Sequence, residues 1–456
     1  MTVPAAHDPY AALRHSGYRR YLVGNFLANV GRQAFNVAAA WQIYQWTNSA
    51  TALGLVGLAN VLPLIALVLP AGALADRLDR RLLIMRTTTV SCLLSLLLVF
   101  ITFHHASIPR LALLDQANGL LRAIAQLFER HVDPASLHFD NPALPLTYLI
   151  LFVQACLRVL AGPSRGAFVP SLVPQSILSN AITWTSSSFE LSTVLGPALG
   201  GVIVAFASYS TVYLLDVGAG AVFVLMLVGV RPATAPRPAG GAPPGGMLAG
   251  VRFMSRNPAI LGAMSLDLFA VILGGATALL PIYADKILHV GPAGLGWLRA
   301  APAAGAIAMA MLTAHRPPAK RPGLLMLWAV AGFGAALTLF SVSTTFWLSL
   351  VALFLSGCFD NYSVVVRHSL VQLMTPDALR GRVTAINQLF IGSSNEISAL
   401  RAGLTAALFG PVVAAGVGGL GTIAVTGLIA VLVPSLKRVP PLHQLKTEAD
   451  EEEKPL

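Results

Sequence analysis

Long apolar runs recur along this 456-residue chain and leave it few ways to fold. Twelve of them lie near 20–44, 51–75, 82–103, 146–168, 180–206, 210–230, 258–285, 292–314, 323–342, 346–373, 383–409 and 411–435. Each reaches the roughly 20 residues that a helix needs to cross a bilayer core. Several contain Gly or Pro, which membrane helices tolerate when neighbouring groups satisfy the freed backbone. Hydrophobic residues make up 55% of the chain and charged residues 11%, too little charge to clothe a water-facing surface of this size. A soluble enzyme or binding module is thereby excluded. The expectation is an all-α, multi-pass integral membrane protein with twelve transmembrane helices and the lipid bilayer as its solvent.

The net charge of +11 does not point to nucleic acid, because the basic residues sit in short clusters between apolar runs rather than on one face of a domain. Placing the N-terminus, the connections from even to odd spans and the C-terminus on one side gathers 22 of the 30 Lys and Arg residues there, Arg367 among them. The positive-inside rule makes that side, with both termini, cytoplasmic. The first residues are polar and basic (HDPYAALRHSGYRR), so the first span is expected to double as the insertion signal, with no cleavable signal peptide. Cys92, Cys156 and Cys358 lie inside apolar runs and read as packing residues. The stretch 231–246 (RPATAPRPAGGAPPGG) reads as a flexible linker. The expected organisation is a cytoplasmic segment 1–19, a six-helix bundle 20–230, a cytoplasmic linker 231–256, a second six-helix bundle 257–436 and a cytoplasmic tail 437–456. An extracytoplasmic insertion, 105–145, separates the third and fourth spans.

The halves repeat. An offset of 242 pairs Ala52-Leu53-Gly54-Leu55 with Gly294-Leu295-Gly296-Trp297, and Leu82-Leu83-Ile84-Met85 with Leu324-Leu325-Met326-Leu327. Further on the offset is 202, pairing Arg165 with Arg367, Pro174 with Pro376 and Gly201 with Gly403. The insertion at 105–145 accounts for the difference. Two six-span repeats are the plan of a two-bundle secondary transporter with its substrate site between the halves.

After the second span the chain reads Gly72-Ala73-Leu74-Ala75-Asp76-Arg77-Leu78-Asp79-Arg80-Arg81. A glycine there lets helices approach, an aspartate at the membrane edge meets a helix N-terminus, and the arginines face cytosol and headgroups. The pattern resembles the G-x-L-A-D-R-x-G-R-R signature of the major facilitator superfamily, with Asp79 in place of the second glycine. The resemblance extends over nearly the whole chain and implies that fold. It also implies a gating role for Gly72, Asp76, Arg77, Arg80 and Arg81. A weaker echo, His315-Arg316-Pro317-Pro318-Ala319-Lys320-Arg321, occurs in the second half.

Charges inside spans cost roughly 2.5–3.5 kcal/mol each at a helix centre and so mark candidate sites. Spans 1, 4, 7 and 10 carry Arg32, Arg158, Asp267 and Asp360; the resemblance implies that these four helices line the central cavity. Arg158 and Asp360 are related by the offset of 202 and are expected to pair or alternately pair across the cavity, a static structural ion pair being the alternative. Arg158-Val159-Leu160-Ala161-Gly162 also resembles the R-x-x-x-G part of the fourth-span motif of proton-coupled drug exporters, with Gln154 where leucine is common. Asp267 falls opposite Asn25 in the repeat and has no local partner in sequence, which makes it the leading proton-coupling candidate. Asp360, Glu190 and Glu396 are the others. Glu396 and Arg401, five residues apart, lie on different faces of one helix. Asp216 reads as a helix-contact residue. Arg32, Arg158 and Arg401 suit an anionic cargo, while Asn25, Trp41, Phe269, Phe359 and Tyr362 are candidates for the cavity lining.

The insertion contains LLRAIAQLFERHVD, spaced as an amphipathic helix on the outer surface. Its neighbours His104, His105, His131 and His138 have no firm metal-ligand spacing and read as part of a solvated cap, with metal binding the alternative. The EADEEE run reads as a solvated tail. None of the five lysines follows glycine, so there is no G-K-[ST] phosphate loop, and no H-E-x-x-H motif occurs. The stretches MLAGVRFMSRNP, KRPGLLMLWAVAGFGAAL and VQLMTPDALRGRVTAINQLF resemble the bacterial enterobactin-exporter and macrolide-efflux-like branch of the superfamily. That likeness implies an inner-membrane exporter driven by protons, with a siderophore or similar amphipathic small molecule as cargo. A broad-specificity drug or macrolide pump is the alternative, and a membrane-embedded enzyme or transport-dead receptor a remote one. No cofactor or resident metal is expected, and the protein is expected to work as a monomer.

Overall fold

The apolar runs become helices, the seventh with a break. The computed structural model describes residues 10–105, 108–109, 111–129, 136–230, 246–314, 321–375 and 377–440, and these are helical with short connections and no strand. The linker from 231 to 245, the basic stretch 315–320, His131 and the EADEEE run lie outside the described residues. The first half comprises α1 (Ser16–Thr47), α2 (Ala50–Arg77), α3 (Arg80–His104), α4 (Ala112–Phe128), α5 (Ala143–Phe168), α6 (Leu178–Phe206) and α7 (Tyr209–Val228). The second comprises α8 (Gly246–Arg256), α9 (Pro258–Leu273), α10 (Leu280–Ile282), α11 (Gly291–Ala314), α12 (Pro322–Val342), α13 (Phe346–Met374), α14 (Asp377–Phe409), α15 (Pro411–Leu432) and α16 (Pro434–Lys437).

Among the described residues, ten helices are long and apolar enough to cross a membrane. Helices α1 and α14 have the length, 32 and 33 residues, but carry Arg32 and Gln33, or Asn387, Glu396 and Arg401, and stay outside that apolar class. The seventh span, Pro258–Ile287, is not one helix. It is α9, a break at Gly274-Gly275, a 3-10 turn Ala276–Leu279, the short α10 and a π-helical turn Tyr283–Ile287. Helix starts carry side-chain caps: Asp79 accepts from the Leu82 amide at 2.9 Å, Ser208 from the Thr211 amide at 3.2 Å, and Asn257 from the Ile260 amide at 3.4 Å.

The burial pattern is that of a protein in lipid. On α3, Val90, Leu93, Leu97 and Phe100 are exposed at helical spacing, while Thr87, Thr88 and Ser95 are buried. Hydrocarbon is as good a solvent for leucine as the protein interior, so the polar residues turn inward. The chain packs as two units. One is Met1–Ala39 with Leu62–Arg110 and Pro142–Gly241; the other is Ala40–Val61 with Leu111–Asn141 and Ala242–Leu456.

Within each unit, small residues let helix backbones touch. In the first, a Cβ on Gly200 of α6 would stand 2.7 Å from Ala34 Cα on α1. In the second, a Cβ on Gly357 of α13 would overlap the Pro302 carbonyl of α11. Overpacking of this kind costs about 1–3 kcal/mol. Gly357→Ala is therefore expected to lower the melting temperature of the detergent-solubilised protein by several degrees. Gly218→Ala, where the space is open, is expected to leave it unchanged; equal melting of the two variants would refute the contact.

Candidate functional site

The intramembrane charges assemble into two buried polar clusters, one in each packing unit. In the first, Arg32 on α1 donates to Gln154 Oε1 on α5 at 2.7 Å and to Ser91 Oγ on α3 at 2.6 Å, and lies 3.1 Å from Asp216 Oδ2 on α7. Ser95 Oγ donates to the same carboxylate oxygen at 2.7 Å and accepts from Gln154 Nε2 at 3.0 Å. The Arg32 guanidinium also stacks 4.8 Å from the Phe35 ring centre. Four helices thus share one network, in which Asp216, 3% exposed, has both its bonds from neighbouring helices. Asp216 is a helix-contact residue, and it makes that contact as the counter-ion of Arg32. Gln154, a departure from the drug-exporter motif, is what receives the arginine.

In the second unit, Arg367 on α13 donates to Asp267 Oδ2 on α9, a short charge-assisted contact, and to Asn387 Oδ1 on α14 at 3.4 Å. Asp267 and Arg367 are 7% and 3% exposed. Asp267, without a local partner in sequence, is met by a residue of another helix, and one sequence reading is corrected: Arg367 is not a cytoplasmic loop charge but a buried ion-pair member. The repeat carried the signal: the offset of 242 takes Asn25 to Asp267, and that of 202 takes Arg165 to Arg367. In the first unit, buried Asn25 replaces the acid, and the Arg165 guanidinium sits 5.8 Å from the Phe223 ring centre instead.

Arg401 on α14 closes the broken end of α9. Its Nε donates to Ile272 O at 2.9 Å and its Nη2 to Leu273 O at 2.6 Å. Ser398 Oγ reaches Val271 O at 2.6 Å, and Thr422 Oγ1 on α15 reaches Ala270 O at 3.3 Å. The last carbonyls of a helix lack intrahelical partners and carry its negative dipole end, so a guanidinium fits both needs. Arg401 is committed to backbone here, not to Glu396.

The other candidates are dispersed. Glu190 is exposed on α6, on the same side as Thr183, Ser186 and Ser187, which are polar residues in a span. Arg158 is exposed on α5, and Asp360 and Glu396 are half-buried on α13 and α14; all three are engaged in interactions. Trp41 is buried with its ring 6.1 Å from that of Tyr44, Phe269 is exposed, Phe359 packs against Gly332, and Tyr362 packs on the core of the second unit. Sequence reading passed over Arg299 on α11, inside the span Gly291–Thr313; its Nε is sealed from solvent without a hydrogen-bond partner. Being an arginine in an apolar run was the available signal. Gly162-Pro163-Ser164-Arg165-Gly166 has the spacing of a nucleophile elbow, but it lies inside α5 with Ser164 buried, not on a strand-to-helix turn.

The basic loop grips helix ends. Arg80 Nη1 donates to Ala167 O on α5 at 3.3 Å, Arg81 Nε to Leu227 O on α7 at 2.8 Å, and Arg81 Nη2 to Val228 O. Asp79, the departure from the signature, caps α3. Gly72 has open space around it and Arg77 is exposed. The Asp76 side chain lies outside the described residues. In the insertion, Glu129 is 3% exposed and accepts from Ser49 Oγ at 2.6 Å and the Thr51 amide at 2.7 Å, fastening the segment to the start of α2. His104 and His105 bond through Nδ1 to the Phe100 and Thr102 carbonyls of the preceding turn; the His138 amide donates to Thr47 O at 3.2 Å.

Removing one partner of a buried ion pair strands the other and costs about 3–5 kcal/mol. Asp267→Ala and Arg367→Met are each expected to destabilise the protein strongly. The double variant is expected to be more stable than either, as a double-mutant cycle of melting temperatures would read. Additive losses would show that the pair does not form.

Residues 21–393 match the family model described as Major Facilitator Superfamily. The chain is 27% identical over 428 residues, 93% of each chain, to the enterobactin exporter EntS of Citrobacter koseri. It is 26% identical over the same extent to that of Escherichia coli O1:K1 / APEC. In three dimensions it resembles a bacterial homologue of the human lysosomal transporter Spinster, in an inward-facing, unoccupied conformation (TM-score 0.66, 12% identity, 96% and 98% of the two chains). It also resembles a bacterial homologue of the iron transporter ferroportin (TM-score 0.63, 15% identity, 94% and 99%).

Proposed function

The chain belongs to the major facilitator superfamily, and from that premise we propose that it is a proton-coupled exporter of a siderophore or similar amphipathic small molecule, resident in a bacterial inner membrane. The superfamily's transporters carry small molecules across membranes, and the cargo class follows the similarity to enterobactin exporters over 93% of both chains. The working unit is two six-helix bundles, 20–230 and 257–436, with both termini cytoplasmic and the 105–145 insertion outside. They alternate access to a cavity between them.

The observation that supports coupling is the buried Asp267–Arg367 pair. A carboxylate in the bilayer core is held by its cation, and a proton arriving on Asp267 removes that attraction. Among the described residues Arg367 then keeps Asn387 alone and must find other acceptors, so α9, α13 and α14 rearrange together. Protonation and helix movement become one event. Glu190, on the polar side of α6, is the second carboxylate available to carry a proton, and Asp360 and Glu396 are the remaining ones. Arg80 and Arg81, bound to the ends of α5 and α7, are the contacts that the gating loop exchanges between states.

The test is transport in everted vesicles under an imposed pH gradient, with a catecholate siderophore, a macrolide and a cationic dye as cargo. Gradient-driven uptake of the siderophore is expected, and Asp267→Asn is expected to abolish it while leaving gradient-independent exchange of labelled cargo. Full gradient-driven uptake by Asp267→Asn would move the proton site to Glu190 or another carboxylate. Uptake of macrolide and dye without siderophore would replace the cargo class with that of a broad drug pump.

A further inference from the structure

We propose that Arg299 is the anion-recognition residue of the transport site, so that the cargo enters with an oxyanion, a carboxylate or ionised catecholate, seated on this guanidinium. The inference rests on the transport reading above and adds the charge of the cargo and the residue that reads it.

Three other arginines inside the bundle are engaged by ion pairs or carbonyls, and Arg165, whose Nε is likewise sealed without an acceptor, lies 5.8 Å from the Phe223 ring centre. Arg32 is paired with Asp216, Arg367 with Asp267, and Arg401 with the Ile272 and Leu273 carbonyls. Among the described residues Arg299 makes no ion pair, and its Nε is sealed from solvent with no acceptor. An arginine in a membrane span with a sealed, unmet Nε is unfavourable, and a guanidinium has no neutral form to escape into at ordinary pH. The structure therefore contains an unmet demand for an acceptor with negative charge.

Its place on α11 sets it apart from the helix's exposed apolar side chains. Trp297 and Met311, 52% and 64% exposed, mark an apolar face suited to lipid. Helix periodicity puts Arg299 on a different face, in line with Gly296, Ala303 and Ala306. Arg299, Ala303 and Ala306 are half-buried, and beside the arginine these side chains are the smallest available. On yet another side α11 is locked to α13, where a Cβ on Gly305 would overlap the Phe354 carbonyl. The arginine is thus held on a fixed helix, beside small neighbours, with a fork of donors that matches a planar oxyanion.

The experiment measures binding to the purified full-length protein by isothermal titration, with 2,3-dihydroxybenzoate and its neutral amide as probes. Wild type is expected to bind the anion at least 10-fold more tightly than the amide, the difference expected of a hydrogen-bonded charge. Arg299→Gln is expected to bring that ratio to near one, and Arg299→Lys to keep part of it. The ratio is internal to each variant, so a general loss of stability cancels, and a melting curve for each checks folding. Arg438→Gln, at an exposed arginine beyond α16, serves as the comparison and is expected to keep the ratio. Unchanged preference in Arg299→Gln overturns the proposal, as does wild-type protein that binds both probes equally or neither. The transport reading fails separately: vesicles that move no cargo under a gradient would remove it even if the binding preference stood.

Discussion

A bilayer core offers no water to a stray polar group, and the rest of this structure follows from that constraint. Arg32 draws in Gln154, Ser91 and Asp216 from three other helices. Asp267 is met by Arg367, and the carbonyls freed where α9 stops are met by Arg401, Ser398 and Thr422. Each solution ties together helices that the apolar surfaces alone would leave free to slide, since leucine gains little by exchanging a lipid neighbour for a protein one. Specific register in such a bundle comes from polar partners and from glycines that allow backbone contact.

The same logic reaches the membrane edge. Arg80 and Arg81 are basic residues where the positive-inside rule expects them, but they also serve as acceptor-seeking caps on α5 and α7. One set of charges therefore orients the chain and joins three helices. Asp79 makes the connection self-sufficient, because a residue that replaces a glycine in the signature supplies the N-cap of α3. Glu129 repeats the device in the insertion, taking the first donors of α2.

Helix positions were legible in the sequence because apolar length is a one-dimensional signal: the run predicted at 82–103 is the helix Arg80–His104. Partners were not legible in that way. Arg32 and Asp216 lie on the first and last helices of their half, and nothing local relates them. Arg367 counted as a cytoplasmic charge because it falls near the end of its run, whereas its long side chain turns into the bundle. The Asp267–Arg367 pair was readable only by combining the two repeat offsets, since each alone points to one residue. Arg401 suggested a cargo contact, because sequence shows a charge in a span and hides the broken backbone beside it. The break was written as Gly274-Gly275, but a run interrupted by glycines reads the same whether the helix continues or stops.

That break gives the seventh span an unusual kind of joint. In a continuous helix, a change of angle must melt a turn and expose its carbonyls to hydrocarbon. Here the carbonyls of residues 270–273 are held by side chains of α14 and α15, and side chains exchange acceptors by rotamer jumps. The stretch before the glycines can tilt while its acceptors pass from one donor to the next. Its motion calls for side-chain rotation, and no helical turn has to unwind and reform.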